Sequence, residues 1–269
     1  MIQPAVLPPG SMNQLRECKY GFMLYNSMDP VIGLSLELYG EFADLEVQLL
    51  RSFVGPGDTV VDAGANIGTH SLAFARLVGP TGAVLSFEPQ RVIFQILCAN
   101  FAVNGVLHGH AYNMALGAED GLLHMPRVDY GARRNFGAVS LADSGRGDVV
   151  QVAPLDSLDL PACRLIKADV EGMEREVLRG AQRTIERHRP FLYLENNQED
   201  KAPALIRHVA DLGYRMYWQH VPYFNPDNHY GNADPALAVY RPEPNMFCVP
   251  AEMDLDIEGL SEVQVPVRV

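Results

Sequence analysis

The stretch Thr59-Val-Val-Asp-Ala-Gly-Ala-Asn-Ile-Gly68 decides how the rest of this chain is read. Thr59-Val-Val is a short apolar strand ending on Asp62. After the turn, Ile67, Leu72, Ala75 and Val78 recur at helical spacing until Gly79-Pro80 stops the run. Between strand and helix, Gly64 permits a tight turn and close backbone approach, and Gly68 lets the helix pack against the strand. Asn66 stands where a GxGxxG-type turn carries its second glycine, and asparagine tolerates left-handed backbone angles. Strand, glycine turn and helix in this order are the start of a Rossmann-like sheet.

The same alternation continues on the C-terminal side. Ala83-Val-Leu-Ser-Phe87 is the next strand, and it ends at Glu88-Pro89, 24 residues beyond Gly64. A helix over residues 92–104 and a strand over 110–116 follow. Residues 120–155 break the rhythm and read as a small β insertion. Strands at 165–169 and 191–195 alternate with helices at 173–188 and 201–212, and strands at 214–218 and 246–249 close the pattern around a long loop at 220–244. On the N-terminal side, residues 1–20 are a loose Pro-rich stretch and residues 41–53 an amphipathic helix. The expected fold is α/β, with a mostly parallel seven-stranded sheet and helices on both faces. The expected organisation is an N-terminal helical segment packed on the core (1–54), a main domain (55–250) and a C-terminal tail (251–269).

Composition narrows the partners. The 269 residues are 48% hydrophobic and carry a formal net charge of −12, which disfavours an extended nucleic-acid footprint. Cys18, Cys98, Cys163 and Cys248 show no CxxC spacing, so neither a zinc site nor a disulfide framework is expected, and a reducing cytoplasm fits. No run approaches the roughly 20 apolar residues of a membrane span, and no signal peptide is evident. A homo-oligomer stays open.

In open α/β sheets ligands bind at the carboxyl ends of the strands. Asp62, Glu88, Asp169 and Glu195 each end a predicted strand. At the second strand end, Glu88 can accept hydrogen bonds from both hydroxyls of a ribose, whether of NAD or of S-adenosylmethionine. Capping the next helix is its plainer alternative.

The segments DAGANIGTHS, LSFEPQ, NFGAVSL, LDSLDL, LIKADVEGMEREVLRGA, RPFLYLEN and FNPDNHYGN, in that order, resemble the FkbM family of S-adenosylmethionine-dependent methyltransferases across residues 21–250. The resemblance implies a class I methyltransferase fold and O-methylation of a hydroxyl on a sugar or natural product. It also implies that Gly64, Ala65, Asn66 and Gly68 approach the methionine part of the cofactor. Glu88 with Pro89 would hold the ribose, Asn113 and Ala115 would lie near the adenine, and Asp62 and Asp169 would border the site. Residues 236–244 depart from the family pattern, so the acceptor is the least transferable part of the likeness.

A sugar hydroxyl is a poor nucleophile near neutral pH and needs a base or a metal. Asp169, Glu195 and Asn196 form an all-oxygen set suited to Mg²⁺. Asp169 as a metal-free base, or as a partner of the cofactor's amino group, is the competing reading; Glu195-Asn196 could also cap a helix. Glu171 faces the site or the helix dipole, whereas Glu174 reads as structural. His229, in the aromatic and Asn-rich loop with His220, is the candidate catalytic histidine. His70 reads as a helix-surface residue, with a place near the cofactor as the alternative; Arg133, Arg134 and Asn135 read as a solvated loop, with the border of the acceptor pocket as the alternative. An NAD-dependent oxidoreductase would share the glycine turn, but Tyr217, Tyr223 and Tyr230 have no lysine four residues on. A non-catalytic S-adenosylmethionine-binding module would share it too.

Overall fold

The computed structural model describes residues 7–8, 10–140 and 147–266. Most of the Pro-rich start, Leu141 of the NFGAVSL segment and residues 267–269 lie outside the described residues.

The chain opens with an antiparallel hairpin, β1 (Asn13–Cys18) and β2 (Gly21–Asn26), followed by helices α1 (Ile32–Tyr39) and α2 (Asp44–Leu50). The hairpin corrects the reading of residues 1–20 as loose. β1 is half exposed and largely polar, so it lacks the apolar alternation that marks a strand. Its partner is held from outside by the next layer. Asn100 accepts the Leu24 N–H at 2.6 Å and donates to the Leu24 carbonyl at 3.0 Å and to the Ile67 carbonyl at 2.7 Å. One helical turn on, Asn104 does the same for Phe22. Two asparagines at i and i+4 thus serve β2 as a substitute strand.

Next come β3 (Thr59–Ala63), α3 (Thr69–Val78), β4 (Ala83–Phe87), α4 (Arg91–Val103) and β5 (Gly109–Tyr112). The expected strand at 110–116 is in fact two. Its second part, β6 (Ala115–Leu116), leaves the main sheet and joins β7 (Gly121–Met125) and β8 (Asp148–Ala153) in a three-stranded insertion. β9 (Leu165–Ala168) resumes the main sheet. The single helix expected at 173–188 is broken into α5 (Glu174–Arg179) and α6 (Gln182–His188). The break falls at Gly180, where a Cβ would lie 1.9 Å from the Gly117 carbonyl oxygen. Asp156 then takes the Arg183 and Thr184 N–H groups to start α6. β10 (Phe191–Glu195), α7 (Ala202–Asp211), β11 (Tyr214–Val221), β12 (Glu243–Pro250) and β13 (Ser261–Glu262) complete the chain.

The main sheet runs β13-β11-β12-β10-β9-β3-β4-β5, parallel from β5 to β10 and antiparallel beyond. All seven expected strands are present, and β13 adds an eighth at the edge. The tail therefore lies on the sheet: Val263 is buried and Met253, Ile257 and Leu260 pack on the core. Strand alternation divides that core. Val60, Val84, Leu165, Phe191 and Phe247 face α2, α3, α4 and the hairpin, whereas Val61, Leu85, Ile166, Leu192 and Met246 face α5, α6 and α7. Among the described residues no helix is long and apolar enough to cross a membrane. The four cysteines are free thiols.

Chain order reverses between β3 and β9, the switch point at which a crevice opens at the carboxyl ends of a doubly wound sheet. Asn100 joins the hairpin to this rim through Ile67. Asn100→Ala is expected to cost roughly 2–4 kcal/mol in urea unfolding, since it strands three backbone groups, against about 1 kcal/mol or less for Asn104→Ala at the exposed end. Equal small losses for both would refute the bridging role.

Candidate active site

The site follows from strand parity. Register places Ser86, Asp62, Lys167, Tyr193 and Phe247 side by side across five strands, all on the face covered by α2 and α3. Two residues further along, the same face carries Glu88, Asp169, Glu195 and Asn245. Of these, Glu88, Lys167, Asp169 and Glu195 border an open cleft at the carboxyl ends of the strands.

At the glycine turn, Gly64 has φ +76° and a Cβ there would stand 1.8 Å from the Asp169 carbonyl oxygen. Only glycine lets the two strand ends close at this point. Gly68, at φ +88°, leaves room for Leu97 of α4, so its smallness serves helix–helix rather than helix–strand contact. Asn66 adopts φ +49°, as its residue type allows. Its N–H donates to Glu88 at 3.0 Å, and the Gln90 N–H donates to the other carboxylate oxygen at 2.7 Å. Burial pushes the Glu88 carboxyl up to about 7 against those two donors. Each oxygen keeps a lone pair beyond its backbone partner.

The candidate cofactor residues divide. Gly64, Ala65, Asn66, Glu88, Pro89, Ala115 and Asp169 line the cleft. Asp62, fully buried, lies beneath it, accepting the Ser71 hydroxyl at 2.6 Å. Asn113 donates to the carbonyls of Glu88 and Pro89 and so supports that corner instead of lining it.

The opposite end, towards β10 and β12, is acidic. Asp169 is half exposed and lies 3.3 Å from the Lys167 ammonium, which is 3.9 Å from Asp62. Burial alone would lower the Lys167 pKa, but Asp169, Asp62 and Glu46 raise it above the ordinary value. Burial, then Asp169 and Glu243, pushes Glu171 up to about 7; burial and Asp169 do the same to Glu243, which accepts the Tyr223 hydroxyl. Glu195 is driven far above the usual carboxylate range by burial and by Asp169, Glu171 and Glu243. His70 is buried in the wall, its Nε2 3.1 Å from Glu46.

Two candidate residues fall outside this site. Asn196, one position past Glu195, points to the other face of the sheet by strand alternation, where it bonds the Met246 sulfur at 3.3 Å and borders a different cavity. The Asp169–Glu195–Asn196 ligand set is therefore not assembled. Among the described residues no three His, Cys, Asp or Glu side chains are grouped to hold a metal ion. His229 is exposed, sits in a tilted ring contact with Tyr230, and gives its backbone N–H to Glu41, away from the cleft. Glu41, on the first turn before α2, captures the loop and turns the ring outward. Of the insertion residues, Asn135 lines the cleft, whereas Arg133 and Arg134 are exposed.

The residues that sequence reasoning passed over are Lys167, Gln90, Glu243 and, as a buried group, His70. Lys167 carried a signal, being a lone charge between Ile166 and Ala168 in a strand buried on both faces. Such a charge needs carboxylate partners. Glu243 carried none, because its place depends on β12 inserting between β10 and β11.

The raised carboxyls have a consequence for stability. Glu88, Glu171 and Glu243 shift from an ordinary value of 4.5 up to about 7, so the folded ligand-free protein binds more protons than the unfolded chain between those values. Their contribution is complete below pH 4.5 and is lost as pH rises through about 7. Calorimetric Tm is expected to fall from pH 6 to pH 8; a rise over that window would contradict the site electrostatics.

Comparison with known proteins agrees with this architecture. Residues 62–216 match the family described as the methyltransferase FkbM domain. The chain is 33% identical over 159 residues to the 31-O-demethyl-FK506 methyltransferase FkbM of Streptomyces tacrolimicus, a stretch covering 47% of this chain and 60% of that one. It is 31% identical over 154 residues to methyltransferase sdnD of Sordaria araneosa, covering 45% and 59%. The matched stretch thus spans about three fifths of the length of these curated relatives. Among solved structures, precorrin-6y C5,15-methyltransferase from Geobacter metallireducens GS-15 superposes with TM-score 0.50 at 13% identity, over 77% of this chain and 85% of that one. That likeness is one of fold.

Proposed function

Since the chain belongs to the FkbM methyltransferase family, we propose that it transfers the methyl group of S-adenosylmethionine to a hydroxyl of a small molecule, a sugar or natural product. The observation that carries this reading is a single cleft with a nucleoside-type acid at one end and a balanced carboxylate at the other. The residues fit the cofactor. Glu88 is buried, held by two backbone N–H groups, and has acceptor capacity left for two ribose hydroxyls. Ala65, Asn66 and Pro89 supply the adjoining wall.

When bound, S-adenosylmethionine supplies an electrophilic methyl carbon on its sulfonium. Asn66 and Gln90 fix the Glu88 carboxylate, so the nucleoside would be oriented without rearrangement. Lys167 fixes Asp169 by an ion pair at 3.3 Å and balances its charge. Asp169, reachable from the cleft, is the residue placed to take the proton of the acceptor hydroxyl. Burial and the neighbouring Asp169, Glu171 and Glu243 disfavour the charged form of Glu195, which makes Asp169 the better base of the two. Mg²⁺ does not fit, because Asn196 faces away, and no step is assigned to it. The net charge of −12 supports a small-molecule acceptor over nucleic acid, and the four free thiols support the cytoplasm.

Titration calorimetry with S-adenosylmethionine, S-adenosylhomocysteine and NAD tests the proposal. The first two are expected to bind and NAD to show no heat. Preference for NAD would replace the reading with an oxidoreductase. Tight S-adenosylmethionine binding with no turnover on any hydroxylated acceptor would replace it with a binding module.

A further inference from the structure

The acceptor end of the cleft gathers more carboxyl groups than a methyl transfer to a neutral alcohol calls for. Asp169, Glu171, Glu195 and Glu243 all line it. Among the described residues, the only cleft-lining side chains that can carry positive charge are Lys167, which is paired with Asp169 and lies 3.9 Å from Asp62, and His70, whose Nε2 lies 3.1 Å from Glu46. A second observation points outward from the cluster. Glu195 is 4% exposed, and its Oε1 accepts from Asn197 at 2.5 Å, yet its buried Oε2 has no hydrogen-bond partner. A buried polar atom without a partner is costly, and in a ligand site it marks where a ligand donor belongs.

We infer that the acceptor carries a protonated amine near its reacting hydroxyl, and that Glu195, Glu171 and Glu243 form the subsite for that ammonium group. The inference rests on the methyltransferase reading of the cleft and adds the charge class of the substrate. The cofactor's own charges do not exhaust the cluster. Its amino acid part would bring an ammonium already offset by its own carboxylate, and its sulfonium only a single positive charge. An ammonium is a compact donor of up to three hydrogen bonds and would satisfy Oε2 while offsetting the repulsion among the three glutamates. A phosphorylated or carboxylated acceptor would add to that repulsion. A neutral polyol would satisfy the hydrogen bond and leave the charge unbalanced.

Three matched probes read the difference: trans-2-aminocyclohexanol, trans-1,2-cyclohexanediol and trans-2-hydroxycyclohexanecarboxylate, each titrated by NMR into the full chain saturated with S-adenosylhomocysteine. The amino alcohol is expected to bind at least roughly tenfold more tightly than the diol, as charge-assisted hydrogen bonds imply, and the hydroxy acid most weakly. In Glu195→Gln and, separately, Glu243→Gln, the preference for the amine over the diol is expected to fall to about twofold. Retained S-adenosylhomocysteine binding identifies a variant as folded. The subsite is overturned if the diol or hydroxy acid binds as tightly as the amino alcohol, if none of the three binds, or if both variants keep the preference. Failure of the wild-type chain to bind S-adenosylhomocysteine would instead sink the methyltransferase reading itself.

Discussion

Glu88→Ala is expected to weaken S-adenosylhomocysteine binding on the order of 10²–10⁴-fold. A carboxylate accepting two ribose hydroxyls makes two charge-assisted hydrogen bonds, each contributing about 1.5–3 kcal/mol. The variant also releases the N–H groups of Asn66 and Gln90, which the carboxylate holds at 3.0 and 2.7 Å. Loss of affinity should therefore come with a loosened glycine turn. Glu88→Gln should fall between wild type and alanine, because its amide oxygen can serve one partner while its NH₂ opposes the other N–H. Calorimetric affinity, with circular dichroism to confirm folding, decides this. A change of less than about threefold in the alanine variant would remove Glu88 from the nucleoside site.

Gly64→Ala is expected to cost about 3 kcal/mol or more of stability and to abolish cofactor binding. Two penalties act together. The backbone at φ +76° is strained for any residue with a Cβ, and that Cβ would lie 1.8 Å from the Asp169 carbonyl oxygen. The obstructing atom belongs to backbone whose own N–H is bonded to Ala63 at 3.1 Å, so it cannot swing aside as a flexible side chain would. Any relief must displace Asp169, which ties stability to the site. Gly55→Ala is the matched control. It has nothing within 4 Å of the added carbon, and its effect should stay within about 0.5 kcal/mol. Urea unfolding curves that coincide for the two variants would show that the approach of the strand ends is not obligatory.

The legibility of the chain in sequence follows from range. Thr59-Val-Val, Ala83-Val-Leu-Ser-Phe87 and the glycine turn specify their own conformation through alternation and φ freedom, and so predict the parallel core. Glu88 was legible because a Rossmann-like turn fixes where the next strand must end. The hairpin was not, since β1 is polar and depends on β2, whose outer edge is completed by Asn100 and Asn104 from 76 and 82 residues away. The place of Asn196 is hidden for a related reason. Adjacent residues at a strand end look equivalent in a sequence, yet the pleat sends them to opposite faces.

Periodicity and local backbone chemistry within one strand–turn–helix unit suffice to specify the Rossmann-like core, the turn from Asp62 to Gly68 and the acid at Glu88. Only pairing across the sheet assembles the acidic end of the cleft. Glu195, Glu243 and Tyr223 meet there only because β12 enters antiparallel between β10 and β11, and Lys167 becomes the counter-ion of Asp169 and Asp62 only once three strands pair in register. Packing and register are global properties, and the chemistry of this cleft is set by them.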